Sequence, residues 1–323
     1  MTIASVVYTV PIMPRRSGTL MNRYLPLALI FASVVPVLAQ APPARANLWI
    51  DVSAAGRNDA AVTDLRPEEF EVWMSGYRIP VTDVVAVTPE SGVSRTVVIV
   101  LDNAAVPLTL VPRVREAARL LVDKLGPGDR MAVTTLHGGV LELTDDRAKL
   151  RAAIDKYSVQ GFPFRIDDAG EHVLRTMTAL SRALAEVSDR RKAIVAIGAG
   201  WMFDTPLPPP GIRDLGPQWV GAMREMGSVH ATLYVIDPAG IGVAPGQFFG
   251  GSSGFAHETG GHAFMNSNDF RAAADRIWQE SSSYYMLGVV NPPIRKTADL
   301  REVEVRVLRK GVTVRSREAI RGK

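Results

Sequence analysis

The sequence contains no cysteine among its 323 residues. This absence excludes disulfide bonds, thiolate catalysis and zinc sites with cysteine ligands. It also excludes a lipid anchor attached to a cysteine at a cleavage site. A chain without such cross-links depends on its apolar core for stability. With 47% hydrophobic and 22% charged residues, the composition is that of a globular protein with such a core.

The sequence also lacks a run of basic residues of the kind that binds nucleic acid. The formal net charge is +4, but residues 1–41 hold Arg15, Arg16 and Arg23 and no acid. The remainder has 34 basic and 33 acidic residues and is therefore nearly neutral. Nucleic acid is not an expected partner.

A long apolar run is missing as well. Residues 24–38 are almost wholly apolar, which is short of the roughly 20 residues that span a bilayer. Met21-Asn22-Arg23 precedes this run, and Ala39-Gln40-Ala41 follows it as a small-x-small cleavage pattern. This order predicts a signal peptide over residues 1–41, in which 1–20 are an upstream extension if Met21 is the start. The expected location is periplasmic or secreted, without a membrane span in the mature chain; the alternative is an uncleaved anchor.

Residues 93–290 show alternating strand and helix patterns. Three apolar, mostly β-branched runs begin near residues 97, 193 and 232, as strands covered on both faces require. Helical stripes lie between them, which predicts a mostly parallel sheet with helices on both faces, that is, an α/β fold of Rossmann-like type. In this interpretation, the strand over 284–290 is the last strand of the α/β domain.

The segments on either side of the α/β domain have the patterns of β strands. Residues 47–90 contain three strand candidates, near 48–52, 70–73 and 79–87, with a turn at Ser75-Gly76. In residues 291–320, apolar and polar side chains alternate around Val303, Val305 and Val307. A turn signal follows at Lys310-Gly311, and the alternation resumes after it. This pattern predicts a hairpin. Neither segment is stable alone, so we expect the two to pair into a small β domain with the α/β domain inserted between them.

Five motifs in order resemble the von Willebrand factor A-related family of acidobacterial type, over most of residues 48–318. They are Leu65–Val72 (LRPEEFEV) with Gly76, Arg95–Asp102 (RTVVIVLD), Leu125–Val133 (LGPGDRMAV), Glu258–Phe264 (ETGGHAF) and Tyr284–Gly288 (YYMLG). The resemblance implies a von Willebrand A-type (vWA) domain flanked by β elements. It also implies an exported module that binds or adheres to a protein partner, which is not identified, rather than an enzyme.

Domains of this type often bind Mg²⁺ at the carboxyl ends of their strands. The family pattern is Asp-x-Ser-x-Ser after the first strand, a threonine from a second loop and an aspartate from a third. Here Asp102 is present, but Ala104 and Val106 replace the serines and Ala199 stands at the third-loop aspartate. Because Mg²⁺ requires several organised oxygens, we expect a degenerate site and no cofactor. A weak Mg²⁺ site at Asp102 is the alternative.

The loops at the strand ends remain the expected partner-binding face, because open α/β sheets place ligand sites there. The candidate residues are those of the loops predicted at this edge: Asp102, Asn103, Phe162, Phe164, Asp167, Asp168, Trp201 and Asp204. The aromatic members are candidate anchors; the alternative is that they cover the sheet edge.

Two motifs suggest a hydrolase, the alternative function. His257 and His262 are five residues apart with two glycines between them, whereas a zinc-protease helix needs histidines at i and i+4. Ser252 lies in a Gly-x-Ser-x-Gly pattern, which carries a nucleophile only between a strand and a helix. We interpret its surroundings as a glycine-rich loop, and expect neither motif to be catalytic.

Overall fold

The computed structural model describes residues 46–138, 141–161, 168–187, 191–200, 214–242, 249–290 and 300–321. Their helices and strands occur in the following order along the chain. They are β1 (Leu48–Ala55), β2 (Phe70–Met74), β3 (Tyr77–Ile79), β4 (Val81–Val87), β5 (Thr96–Leu101), α1 (Val111–Asp123), β6 (Arg130–Thr135), α2 (Arg147–Lys156), α3 (Ala169–Leu184), β7 (Lys192–Ile197), α4 (Gly216–Ser228), β8 (Ala231–Ile236), α5 (Phe249–Glu258), β9 (His262–Phe264), α6 (Phe270–Ser282), β10 (Tyr284–Val289), β11 (Leu300–Val307), β12 (Thr313–Ser316) and β13 (Ala319–Arg321).

Five strands form a parallel sheet in the order β6-β5-β7-β8-β9. Side chains of a strand alternate between the two faces, and β5 is buried along its whole length. Ile99 packs in the core beneath α1, α2 and α6, whereas Val98 packs in the core beneath α3, α4 and α5. The predicted α/β fold with helices on both faces is confirmed.

The remaining strands form two antiparallel sheets, in the orders β12-β1-β10-β4 and β13-β11-β2-β3. Both sheets contribute to one apolar core, with Val52 and Leu287 from the first and Val72 and Val303 from the second. β1 pairs with β12 and β2 pairs with β11, so strands from the two ends of the chain lie side by side. The expected pairing of the terminal segments is therefore confirmed, and we call this layer the β-sandwich.

The strand predicted over 284–290 does not close the parallel sheet. It is β10, which lies between β1 and β4 in the β-sandwich. Tyr285, Leu287 and Val289 point into the sandwich core, and hydrogen bonding on both edges fixes β10 there. The predicted end of the α/β domain at residue 290 is therefore wrong, because residues 284–289 belong to the β-sandwich.

The predicted C-terminal hairpin is also wrong. The chain turns at Gly311, where φ is +76°, but β11 and β12 then belong to different sheets. Val305 and Val314 face the same core from opposite sides. Alternation alone cannot separate this crossover from a hairpin, because both arrangements bury every second side chain.

The strand predicted over 79–87 is divided by Pro80. Proline has no N–H for a sheet ladder, and the chain changes sheets at this residue: β3 pairs with β2, and β4 pairs with β10. The turn predicted at Ser75-Gly76 is confirmed, with positive φ at both residues.

The predicted glycine-rich loop around Ser252 is instead helix α5. Phe255 and Ala256 are buried against the sheet. The glycines of this segment disfavour a helix, and packing against the sheet stabilises the helix in spite of them.

The Leu125–Val133 motif organises the amino-terminal edge of the parallel sheet. Asp129 is buried and accepts hydrogen bonds from the Arg95 backbone N–H (2.9 Å), the Arg95 Nε–H (3.0 Å) and the Gly126 backbone N–H (2.9 Å). The Arg95 guanidinium also stacks on Trp278 of α6. This motif therefore has a structural role in the described fold.

Val98→Asp should unfold the protein, because a carboxylate on a strand covered on both faces has neither water nor a partner. We expect a loss in the free energy of unfolding of more than about 4 kcal/mol, measured by urea denaturation. Val85→Asp is the matched control, since Val85 is 42% exposed on β4. A cooperative, wild-type transition for Val98→Asp would contradict the central position of β5.

Candidate functional site

The strand order places a crevice at the carboxyl ends of β5 and β7. From β5 the chain continues to β6 on one side, and the later strands extend on the other side. Ligand sites of open α/β sheets lie where the order reverses in this way. Asp102 follows β5 and Gly198 follows β7, so these two residues stand at the expected position.

Asp102 is buried and holds its own loop. Its Oδ1 atom accepts hydrogen bonds from the backbone N–H groups of Ala104 (2.9 Å) and Ala105 (3.0 Å). Its Oδ2 atom is buried and has no hydrogen-bond partner among the described residues. Burial raises the pKa of Asp102, opposed by the backbone N–H groups of Ala105, Ala104 and Ala199. The side chain therefore stabilises a turn, as aspartate commonly does after a strand.

Gly198 makes room for this carboxyl group. A Cβ atom at Gly198 would lie 2.5 Å from the Cβ of Asp102 and 2.7 Å from its Oδ2. Any larger residue would have to displace Asp102. The two loops are thus packed against each other at the crevice.

Asn103 joins three segments at this edge. Its Oδ1 atom accepts from the backbone N–H of His137 (3.2 Å), and its Nδ2 atom donates to Oε1 of Gln160 (3.3 Å). Tyr157 donates its hydroxyl hydrogen to the backbone oxygen of Asp102 at 2.6 Å. Asp102 and Asn103 are both buried, so they hold the loops in place instead of reaching toward a partner.

A second buried carboxyl group, Asp237, follows β8. Its Oδ1 atom accepts from the Ala239 N–H (2.8 Å), and its Oδ2 atom is buried without a partner in the described structure. Burial raises the pKa of Asp237. The sequence analysis missed this residue, although it follows an apolar strand as Asp102 does.

The described residues do not fit a Mg²⁺ site. They contain no group of three or more His, Cys, Asp or Glu side chains that could hold a metal. Ala104 and Val106 are buried at the serine positions, and Val106 belongs to the apolar core. Mg²⁺ needs several oxygen ligands in octahedral geometry, and the side chains of Ala104 and Val106 supply none.

Of the other candidate partner-binding residues, only Asp168 is described. It precedes α3, whose His172 ring lies 6.0 Å from the His137 ring that follows β6. The start of α3 therefore lies near the carboxyl ends of the strands. Phe162, Phe164, Asp167, Trp201 and Asp204 lie outside the described residues.

Exposed apolar side chains occupy the loops at the same edge. Leu108 precedes α1, Ile241 follows β8 and Met265 follows β9; their exposures are 74%, 65% and 38%. Arg113 links these loops by donating to the Pro238 oxygen (2.5 Å) and to Oδ1 of Asn268 (2.8 Å). We call Leu108, Ile241 and Met265 the apolar rim. The sequence analysis missed it, because a loop sequence does not show which apolar residues remain exposed.

The hydrolase motifs do not form a catalytic arrangement in the described structure. Ser252 is fully buried within α5 rather than at a strand-to-helix turn. His257 lies in the last turn of α5 and pairs with Glu318 at 3.0 Å. His262 lies on β9, beyond a turn at Gly260. The two histidines are therefore not on one helix face.

No helix in the described ranges is both long enough and apolar enough to cross a membrane.

No protein-family model and no curated protein matches the sequence. Among solved structures, the chain is similar to the PilB minor pilin from Streptococcus sanguinis (D319A mutant), at 11% identity and a TM-score of 0.41, covering 58% of this chain and 62% of that one. It is also similar to manganese-loaded TRAP protein from Plasmodium vivax, at 11% identity, a TM-score of 0.41 and coverage of 75% and 98%.

A third similar structure is proximal thread matrix protein 1 of the mussel byssus with a zinc-occupied MIDAS motif. The identity is 14%, the TM-score 0.41 and the coverage 65% of this chain and 50% of that one. The chain thus spans less than two thirds of the length of the pilin and byssus proteins that it matches.

Gly198→Ala should destabilise the protein by about 1–3 kcal/mol, because the new methyl group overlaps the Asp102 side chain. Gly221→Ala in α4 is the control: a Cβ there meets nothing within 4 Å, and alanine favours a helix. Urea denaturation of both variants tests this packing. Equal stability of the two variants would show that Asp102 does not lie against Gly198.

Proposed function

We propose that this chain is an exported vWA-type binding module, that the loops at the carboxyl ends of its parallel strands bind a protein partner, and that its metal-ion-dependent adhesion site is degenerate. The observation that supports it best is the inward position of Asp102, whose Oδ1 atom is engaged by the Ala104 and Ala105 N–H groups. A carboxylate used in this way holds the loops and does not coordinate a partner through a metal ion.

The apolar rim supplies a surface for such a partner. Protein interfaces are depleted of charge at their centres, where the buried surface is more apolar than the rest of the protein surface. Leu108 and Ile241 are each more than half exposed, and the bonds of Arg113 join the α1, β8 and β9 loops into one support. Export is proposed from the signal-peptide pattern of residues 1–41.

Because the proposed binding needs no metal ion, we expect millimolar Mg²⁺ to leave the melting temperature of the wild-type protein unchanged. A ligand present at its Kd stabilises a protein by about 0.4 kcal/mol, and tighter binding stabilises it more. A stabilisation above about 1–2 kcal/mol in calorimetry would show that Mg²⁺ occupies a real site.

The combined variant Ala104→Ser, Val106→Ser and Ala199→Asp is the positive control, because it restores both serines and the third-loop aspartate of the family pattern around Asp102. We expect it to gain a Mg²⁺-dependent rise in melting temperature that the wild type lacks. If this variant also shows no response, the crevice is not a degenerate form of that site.

If the partner binds to the apolar rim, the double variant Leu108→Glu, Ile241→Glu should no longer capture it. The measurement is crosslinking in the native envelope, with the wild-type protein as reference. Two buried charges at an interface cost several kcal/mol, so we expect at least a tenfold loss of crosslinked product. Tyr77→Glu is the matched control, since Tyr77 is 75% exposed but lies on β3 of the β-sandwich. Undiminished capture by the double variant, or equal loss with Tyr77→Glu, would contradict the proposed face.

A further inference from the structure

A cavity of about 480 Å³ lies between α6, β9 and the β-sandwich. It extends along α6 from Phe270 to Gln279, and Arg315 of β12 and the residues that follow β1 complete its lining. Of the candidate partner-binding residues that the structure describes, Asp102, Asn103 and Asp168, none lines it. Its size is in the range of pockets that bind small molecules.

Two guanidinium groups in this cavity share one carboxylate oxygen. Arg276 Nε donates to Oε1 of Glu280 at 2.5 Å, and Arg315 Nη1 donates to the same atom at 2.6 Å. Glu280 is buried. One negative charge thus faces two positive charges, and the group carries an excess of one positive charge.

Asp59 supplies the missing negative charge from the edge of the cavity. Its carboxylate pairs with Arg276 Nη1 at 2.7 Å, yet its side chain is 73% exposed. The hydrogen bond from Arg276 lowers the pKa of Asp59, so it is ionised at neutral pH. Its backbone oxygen accepts hydrogen bonds from Gln279 Nε2 at 2.8 Å and from Arg276 Nη1 at 3.2 Å, and the Gln279 bond does not depend on the Asp59 carboxylate. The carboxylate can therefore leave Arg276 while the loop stays in place.

The other acids that line the cavity are engaged elsewhere. Asp269 accepts from the Ala272 N–H at the start of α6, and Asp275 pairs with Lys124 of α1. The guanidinium of Arg315 donates a hydrogen bond to Glu280 and, among the described residues, to no other group. Most of its five N–H donors are thus available to an anion.

The opposite wall of the cavity is apolar and aromatic. It is formed by Ile236, Phe264 and Phe270. The His262 ring packs edge-on against Phe264. Burial and the charge of Arg315 lower the pKa of His262, so its imidazole is neutral at physiological pH and can donate one hydrogen bond.

We propose that this cavity binds a small organic carboxylate with an apolar body. The carboxylate group binds to Arg276 and Arg315 in place of Asp59, and the apolar body packs against Phe264 and Phe270. Charge-assisted hydrogen bonds from guanidinium groups are the strong interactions that select a carboxylate over its neutral analogue.

Isothermal titration calorimetry of the purified protein with 3-phenylpropionate and with its neutral analogue, 3-phenylpropanamide, tests this proposal. We expect saturable binding of the acid and at least tenfold weaker binding of the amide. Asp59→Asn removes the competing carboxylate and should tighten binding of the acid at least threefold. Arg315→Gln removes the free donors and should weaken it at least tenfold.

Asp275→Asn is the matched control, because it removes an equal charge from the lining that is paired with Lys124 rather than with the arginines. A smaller effect of Asp275→Asn than of Asp59→Asn would support the exchange at Arg276. The proposal is overturned if the amide binds as well as the acid, if the two asparagine variants behave alike, or if neither the wild type nor Asp59→Asn binds the acid at about 10 mM.

Discussion

The burial of β5, β7 and β8 on both faces is the constraint on which the rest of the structure depends. Every residue of these three strands is buried. Because the strands are parallel, the segments that follow them emerge at one edge of the sheet. Asp102, Gly198 and Asp237 are the first residues beyond these strands. Two carboxyl groups and a glycine therefore begin the loops at this edge of the sheet as a result of the fold.

Much of the fold could be predicted from the sequence, because the relevant signals are local. The apolar run around Val98 predicts a central strand, and alternation in Val303 and Val305 predicts a half-buried one. The replacement of two serines by Ala104 and Val106 predicts the loss of metal ligands. Each inference needs only a few neighbouring residues and a periodicity.

The remaining features depend on contacts between distant residues. β10 resembles a strand of the parallel sheet, but its partners on β4 and β1 lie about 200 to 240 positions away. The glycines of α5 favour a loop, and only the burial of Phe255 against the sheet stabilises the helix. The cavity at Arg276 and Arg315 combines residues of α6, β9, β12 and the segment after β1. A motif search along the chain has no means of finding such a group.

The inward position of Asp102 has a consequence for how this crevice can work. Burial of a carboxylate costs several kcal/mol unless charges or hydrogen bonds compensate for it, and here burial raises the pKa. A cation at Oδ2 would have to replace water ligands with a single carboxylate oxygen, since Ala104 and Val106 offer none from their side chains. The space beside that oxygen is narrow, since a Cβ atom added at Gly198 would lie 2.7 Å from Oδ2. The packing of Asp102 against the loop that follows β7 therefore both fixes the turn after β5 and leaves Oδ2 directed into the protein.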